Sequence, residues 1–126
     1  MESEQPAGGL VDAVVVYDGR LLLVEGAGGW GLPSGAPELA ESAAAAAARL
    51  VYELTGYLVD GSTTLRPEAA GAEEPRTAVV CQLLSEEPSG GARLAPGQLR
   101  WVPLAEAAEL PLPTAVRHYL EGHTPV

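Results

Sequence analysis

Three charged residues in one short stretch, Glu41, Arg49 and Glu53, have the types and spacing to do chemistry. They lie between Gly28 and Tyr57, in GGWGLPSGAPELAESAAAAAARLVYELTGY. Carboxylates supply the oxygen ligands that a hard cation such as magnesium takes. Arg49 and Glu53, four apart on a helix, can pair, in the weaker Arg-first order. The Gly- and Pro-rich loop that runs to about Glu41 allows close backbone approach to an anion or a metal. Arg20, Arg66 and Arg76 can hold phosphates by bidentate bonding, or simply balance surface charge. Trp30 and Tyr57 can stack on a base, or fill core and rim positions. Cys81 lies in an apolar run and is expected in the core. His118 and His123 have no His or Cys partner at metal-ligand spacing, and no nucleophile-elbow motif is present.

The elements that must position these groups follow from local chemistry. Ser42 suits an N-cap. Ala43 to Ala48 are six alanines, the best helix formers, and Gly56 supplies a left-handed stop. Ala47, Leu50, Val51 and Leu54 fall on one apolar face. Upstream, Val11–Val16 and Leu21–Val24 read as strands joined at Tyr17-Asp18-Gly19-Arg20, with Asp-Gly the hairpin signal. Both are nearly continuous in apolar residues, so both of their faces are expected to be covered. Downstream, Tyr57–Val59 reads as a short strand, Asp60-Gly61 as a turn or bulge, and 62–66 as a resumed strand. A polar loop spans 67–75 and a strand 77–84, with a turn in 86–91. Leu99–Val102 reads as a strand and Pro103–Glu109 as a helix with Pro in its first turn. The last helix runs from Thr114, its N-cap, to about Glu121.

Gly35, Glu41, Arg49, Val51, Glu53, Gly56 and Tyr57 stand in the register of the Nudix box, and the chain resembles the Nudix hydrolase family at these residues. The lead-in Trp30-Gly31-Leu32-Pro33-Ser34-Gly35 resembles the family's, with Ser34 where glycine is common. Gln98–Leu104 and the apolar-Pro lead into the final helix extend the likeness over about residues 10–121. The resemblance implies an α/β fold: a Nudix-like α/β/α sandwich, a mixed β-sheet with flanking helices. It implies pyrophosphohydrolase chemistry with magnesium or manganese. Glu53 would be a metal ligand. Glu41 would support the loop and help at the metal, or serve structurally beside the positive helix end. The Ser34 carbonyl could face the metal, and Gly35 would set loop geometry. Ser34, Gly35, Arg49, Arg66, Arg76 and Trp30 are the candidate ligand-binding residues. Glu38 is a substitute ligand or a solvated loop acid. Glu68, Glu73 and Glu74 are weaker candidates for an acid from a later loop, and Gln98 cannot replace one.

Two departures weigh more than the matches. Leu50 and Leu54 stand where the family carries glutamates. They share a helix face, and that face favours burial over metal binding. Three readings follow. The first is a domain with an impaired metal site, lacking efficient hydrolysis and binding a nucleotide-like ligand or a partner. The second is an active hydrolase of a nucleoside diphosphate linked to another moiety, using relocated carboxylates. The third is a protein-interaction module without a small ligand.

At 126 residues the length fits one domain over 10–126, with a frayed tail at 1–9. A net charge of −10, with seven arginines and no lysine, repels nucleic acid and anionic membranes. It also repels nucleotides unless local arginine or a metal offsets the field. No apolar run approaches a membrane span, and the acidic start is no secretory signal. A single cysteine excludes an internal disulfide and fits a reducing cytosol, so a cytoplasmic location is expected. Many members of the family it resembles are dimers, which makes a homodimer one of the expectations.

Overall fold

The computed structural model describes residues 10–26, 29–65, 76–85, 92–107, 109–110, 112 and 114–121. The expected tail at 1–9, the loop acids Glu68, Glu73 and Glu74, the turn in 86–91, Arg66 and His123 lie outside the described residues.

The elements run β1 (Leu10–Tyr17), β2 (Arg20–Gly26), β3 (Gly29–Gly31), β4 (Ser34–Gly35), α1 (Ala43–Thr55), β5 (Val59–Leu65) and β6 (Arg76–Leu83). After a 3-10 turn at Pro96–Gln98 come β7 (Leu99–Pro103), α2 (Leu104–Ala107) and α3 (Thr114–Glu121). The sheet order is β3-β2-β1-β6-β5, with β4 paired to β1 and β7 to β2. β1 and β6 are parallel, from Leu10 opposite Arg76 to Val15 opposite Cys81. The other pairings are antiparallel, so the sheet is mixed, as expected.

β1 is covered on both faces, which explains its unbroken apolar run. Val11, Ala13 and Val15 point to α1 and pack with Ala46, Ala47, Leu50 and Val51. Val14 points the other way and packs with Leu21, Leu23, Val102, Val116 and Leu120. Asp18 (φ 54) and Gly19 (φ 74) make the β1–β2 turn with two positive φ angles, the geometry that Asp-Gly favours.

α1 has the expected ends. Ser42 accepts from the Ala45 amide at 3.1 Å. Gly56 is left-handed (φ 83), and its amide donates to the Tyr52 carbonyl at 2.9 Å. The helix rides close over β5. A Cβ on Gly61 would lie 2.9 Å from both the Cβ and the carbonyl oxygen of Ala44. The β5–β6 register shifts between Gly61 and Thr63, so the expected irregularity is a bulge.

Several expectations need correction. The loop before α1 contains two short strands, because Gly31 finds Val24 and Gly35 finds Val11. β5 begins at Val59, not Tyr57. The Tyr57 amide instead donates to Thr55 Oγ1 at 3.1 Å, extending the helix cap. Pro103 ends β7 opposite Arg20 rather than starting a helix. α2 is a single turn, and Glu109 and Leu110 follow it in turns onto the carbonyls of Glu106 and Ala107.

Candidate functional site

Arg49 is the junction between loop and helix. Its Nε and Nη2 donate to the two Glu41 oxygens, both at 2.9 Å, a bidentate pair. Nη2 also reaches the Ala36 carbonyl at 3.1 Å. Nη1 donates to Glu53 Oε1 at 3.3 Å, the expected pair, and lies 3.9 Å from Glu38. The Glu38 amide donates to Glu41 at 2.8 Å. The Arg49 hydrogen bonds, then the Glu38 amide, hold the Glu41 carboxyl below the usual carboxylate range. The same bond to Glu41 raises the Arg49 guanidinium above its ordinary value. Glu41, Arg49 and Glu53 are therefore brought together, and their charges are largely spent on one another.

The leucines take the face beside them. Leu50 is 7% exposed and lies on Gly35, where a Cβ would stand 2.6 Å from Leu50 Cδ2. Gly35 thus leaves room for the close approach of a hydrocarbon side chain. Leu54 is half-buried, and its carbonyl accepts from the Leu94 amide at 3.1 Å. The Arg93 amide donates to the Glu53 carbonyl at 2.9 Å, and the Arg93 guanidinium is 4.0 Å from Glu53 Oε1. Residues 93–94 so complete the carbonyl end of α1, where a cation suits the dipole. Among the described residues, no group of three or more His, Cys, Asp or Glu is placed to hold a metal ion.

Ser34 lies in β4 opposite Asp12. Its hydroxyl contacts Asp12 Oδ1 at 2.6 Å and the Leu32 carbonyl at 3.0 Å. Asp12 is 1% exposed and was not singled out from the sequence. An acid interrupting an apolar strand was the available signal, since buried charge needs hydrogen-bonded partners. Arg76 sits in β6 opposite Leu10. Arg20 is exposed at the hairpin. His118 is exposed on α3. The Tyr57 hydroxyl accepts from Trp101 Nε1 at 3.2 Å, with the rings edge to face at 5.6 Å, so Tyr57 serves as a packing aromatic.

Trp30 lines a separate feature, a cavity of about 480 Å³. Leu23, Val102 and Leu110 supply apolar walls, and Arg100, Glu106 and Glu109 the charged ones. The Arg100 guanidinium lies over the Trp30 ring, 4.6 Å from its centroid. Neither Glu41 nor Glu53 lines this cavity. Arg100, Glu106 and Glu109 were missed because β7, α2 and the following turn meet β2 and β3 only in the fold. The alternation of Arg100 with Val102 on one strand face was the one local clue.

The comparisons with known proteins agree on the fold. The family described as NUDIX domain matches residues 9–121. None of the curated proteins searched matches the chain. A NUDIX hydrolase from Nitrosomonas europaea superposes with a TM-score of 0.72 at 23% identity, covering 97% of this chain and 94% of that one. A MutT NUDIX hydrolase from Burkholderia pseudomallei is 29% identical, with a TM-score of 0.62 and coverages of 94% and 98%. An ADP-ribose pyrophosphatase from Streptococcus suis is 19% identical, with a TM-score of 0.64 and coverages of 94% and 93%.

Proposed function

The chain belongs to the Nudix family, and on that premise we propose that this domain lacks efficient metal-dependent hydrolysis and binds a nucleotide-like ligand. Nudix hydrolases generally use magnesium or manganese. The side chains present on α1 do not fit such an ion. One observation carries this reading: Leu50 is folded down on Gly35, and the Glu41 and Glu53 carboxylates beside it are bonded to Arg49. Hydrocarbon offers a hard cation no ligand. A guanidinium already bonded to both acids competes with any metal for them. Without a metal, the charge neutralisation and water activation that diphosphate cleavage relies on have no source on this helix face.

The ligand side of the proposal rests on the Trp30 cavity. Its volume falls in the range of about 300–1,000 Å³ typical of small-ligand pockets, and it combines an aromatic wall with charged rims. The pyrophosphatase named among the solved relatives acts on ADP-ribose, which supports a nucleotide-like occupant here.

A second reading, an active hydrolase with relocated carboxylates, has one observation in its favour. The Glu53 side chain keeps 38% exposure, and its contacts to Arg49 and Arg93 run through Oε1. The test is turnover of nucleoside triphosphates, ADP-ribose and dinucleoside polyphosphates with magnesium or manganese. The proposal expects no turnover at enzymatic rates, alongside a thermal-midpoint rise with at least one nucleotide. Efficient turnover that disappears in Glu53→Gln would establish the second reading instead.

A further inference from the structure

From the open side of β5, we infer that a second copy of this chain docks there, β5 pairing antiparallel with its counterpart across a two-fold axis and α1 lying beside α1. The inference is independent of the ligand reading, since the Trp30 cavity is at the other end of the sheet.

β5 ends the strand order, and among the described residues it pairs with β6 alone. The Leu84 amide donates to the Leu58 carbonyl at 2.8 Å. Antiparallel alternation from that bond turns the peptide groups of Val59 and Gly61 away from β6. Such an edge is a template for another strand, and natural edges are blocked by lysine, proline or inward-pointing charge. β5 reads VDGSTTL, with no lysine, no proline and one charged residue, Asp60. Ser62, Thr63 and Thr64 are exposed along it. The bulge bends the strand between Gly61 and Thr63 without adding charge.

The helix above this edge leaves space for a neighbour. Ala44 lies on Gly61, which fixes the flank of α1 that overhangs β5. At about 3.6 residues per turn, that flank carries Ala44, Ala48 and Tyr52. Arg49 and Glu53 face the other way, Arg49 onto the loop that carries Glu41. Paired strands lie about 4.8 Å apart, so joining two β5 strands brings the two α1 helices to the short end of helix spacing, about 8 Å. Alanine at the contact permits that approach. Tyr52 and Leu58, 44% and 47% exposed, stand at the same edge as the large apolar side chains that an interface would bury.

Charge selects the occupant. With −10 on each chain, two copies repel wherever their acids meet. The β5 side is where they can meet with least repulsion, because the overhanging flank is neutral and Asp60 is the one charge on the strand. An antiparallel pair centred on Ser62 sets Asp60 opposite Thr64 of the second copy, not opposite its own counterpart. A strongly charged partner finds no matching field there, whereas a two-fold copy meets a surface as neutral as its own.

Sedimentation equilibrium of the intact protein over a concentration series tests this. A dimer is expected, and sodium chloride is expected to tighten it, by screening the repulsion between the copies without breaking an interfacial ion pair. Tyr52→Arg and Thr63→Lys each set like charges together across the axis, and each is expected to raise the dimer dissociation constant about tenfold or more. His118→Lys adds the same single charge on α3 and is expected to leave that constant unchanged. All three positions are exposed, so each variant keeps the fold. A monomer at every concentration, a dimer indifferent to both β5-side variants, or one weakened equally by His118→Lys would overturn the inference. So would a dimer that salt dissociates.

Discussion

The packing of Leu50 on Gly35 can be measured by a double-mutant cycle. Gly35→Ala places a methyl 2.6 Å from Leu50 Cδ2, well inside contact distance. Over-packing costs about 1–3 kcal/mol. The atom met is the far end of a flexible side chain, so the low end, about 1 kcal/mol, applies. Leu50→Ala alone opens a cavity among Val11, Ala47 and Val51, at about 2–4 kcal/mol. In that background the new methyl at position 35 enters vacated space. Its cost then disappears, and the lower chain entropy of alanine returns about 0.4–1 kcal/mol. That entropy gain is common to both backgrounds and cancels in the cycle, so the coupling energy is about 1 kcal/mol in favour of the double variant. Urea unfolding of the four proteins, compared at constant m, reads this directly. Additivity within about 0.5 kcal/mol would mean that the two residues do not touch, and the argument for a hydrocarbon-filled metal face would go with it.

Three further outcomes are expected. Gly61→Ala should destabilise by about 2 kcal/mol or more, since its methyl meets the Ala44 backbone, while Gly97→Ala, with nothing within 4 Å, should be nearly neutral; thermal melts compare them. The lowered Glu41 carboxyl contributes stability that is present above its unfolded value and lost as pH falls through its lower folded value, so acid unfolding should be less steep in Arg49→Leu below about pH 4.5. Leu50→Glu combined with Leu54→Glu should give manganese affinity, seen as loss of the free-ion EPR signal, that the natural chain lacks; equal affinity in both proteins would refute the account of α1.

What could be read from the sequence was local in origin. Ser42, Gly56 and the Asp18-Gly19 turn are set by chemistry within a few residues, and each took its expected conformation. The box spacing carried the fold, because Arg49 reaches Glu41 and Glu53 whatever surrounds them. What escaped depends on distant partners. β3 and β4 exist only because β2 and β1 lie alongside. Tyr57 looked like a strand residue until Thr55 and Trp101 claimed its polar groups. Arg100, Glu106 and Glu109 share no period or motif, so nothing short of the fold groups them.

The alanine run of α1 first reads as helix propensity. The approach of Ala44 to Gly61 gives it a second meaning. At that crossing, clearance is set by the smallest side chain on the helix and by none at all on the strand. Leucine or glutamate at position 44 would also be a good helix former, yet it would have to prise the helix away from β5. Arg49 and Leu50 would travel with it, and the clip onto Glu41 and the seat on Gly35 would both loosen. The geometry of the charged cluster is thus fixed partly from the opposite side of its own helix, by a gap only a methyl group deep.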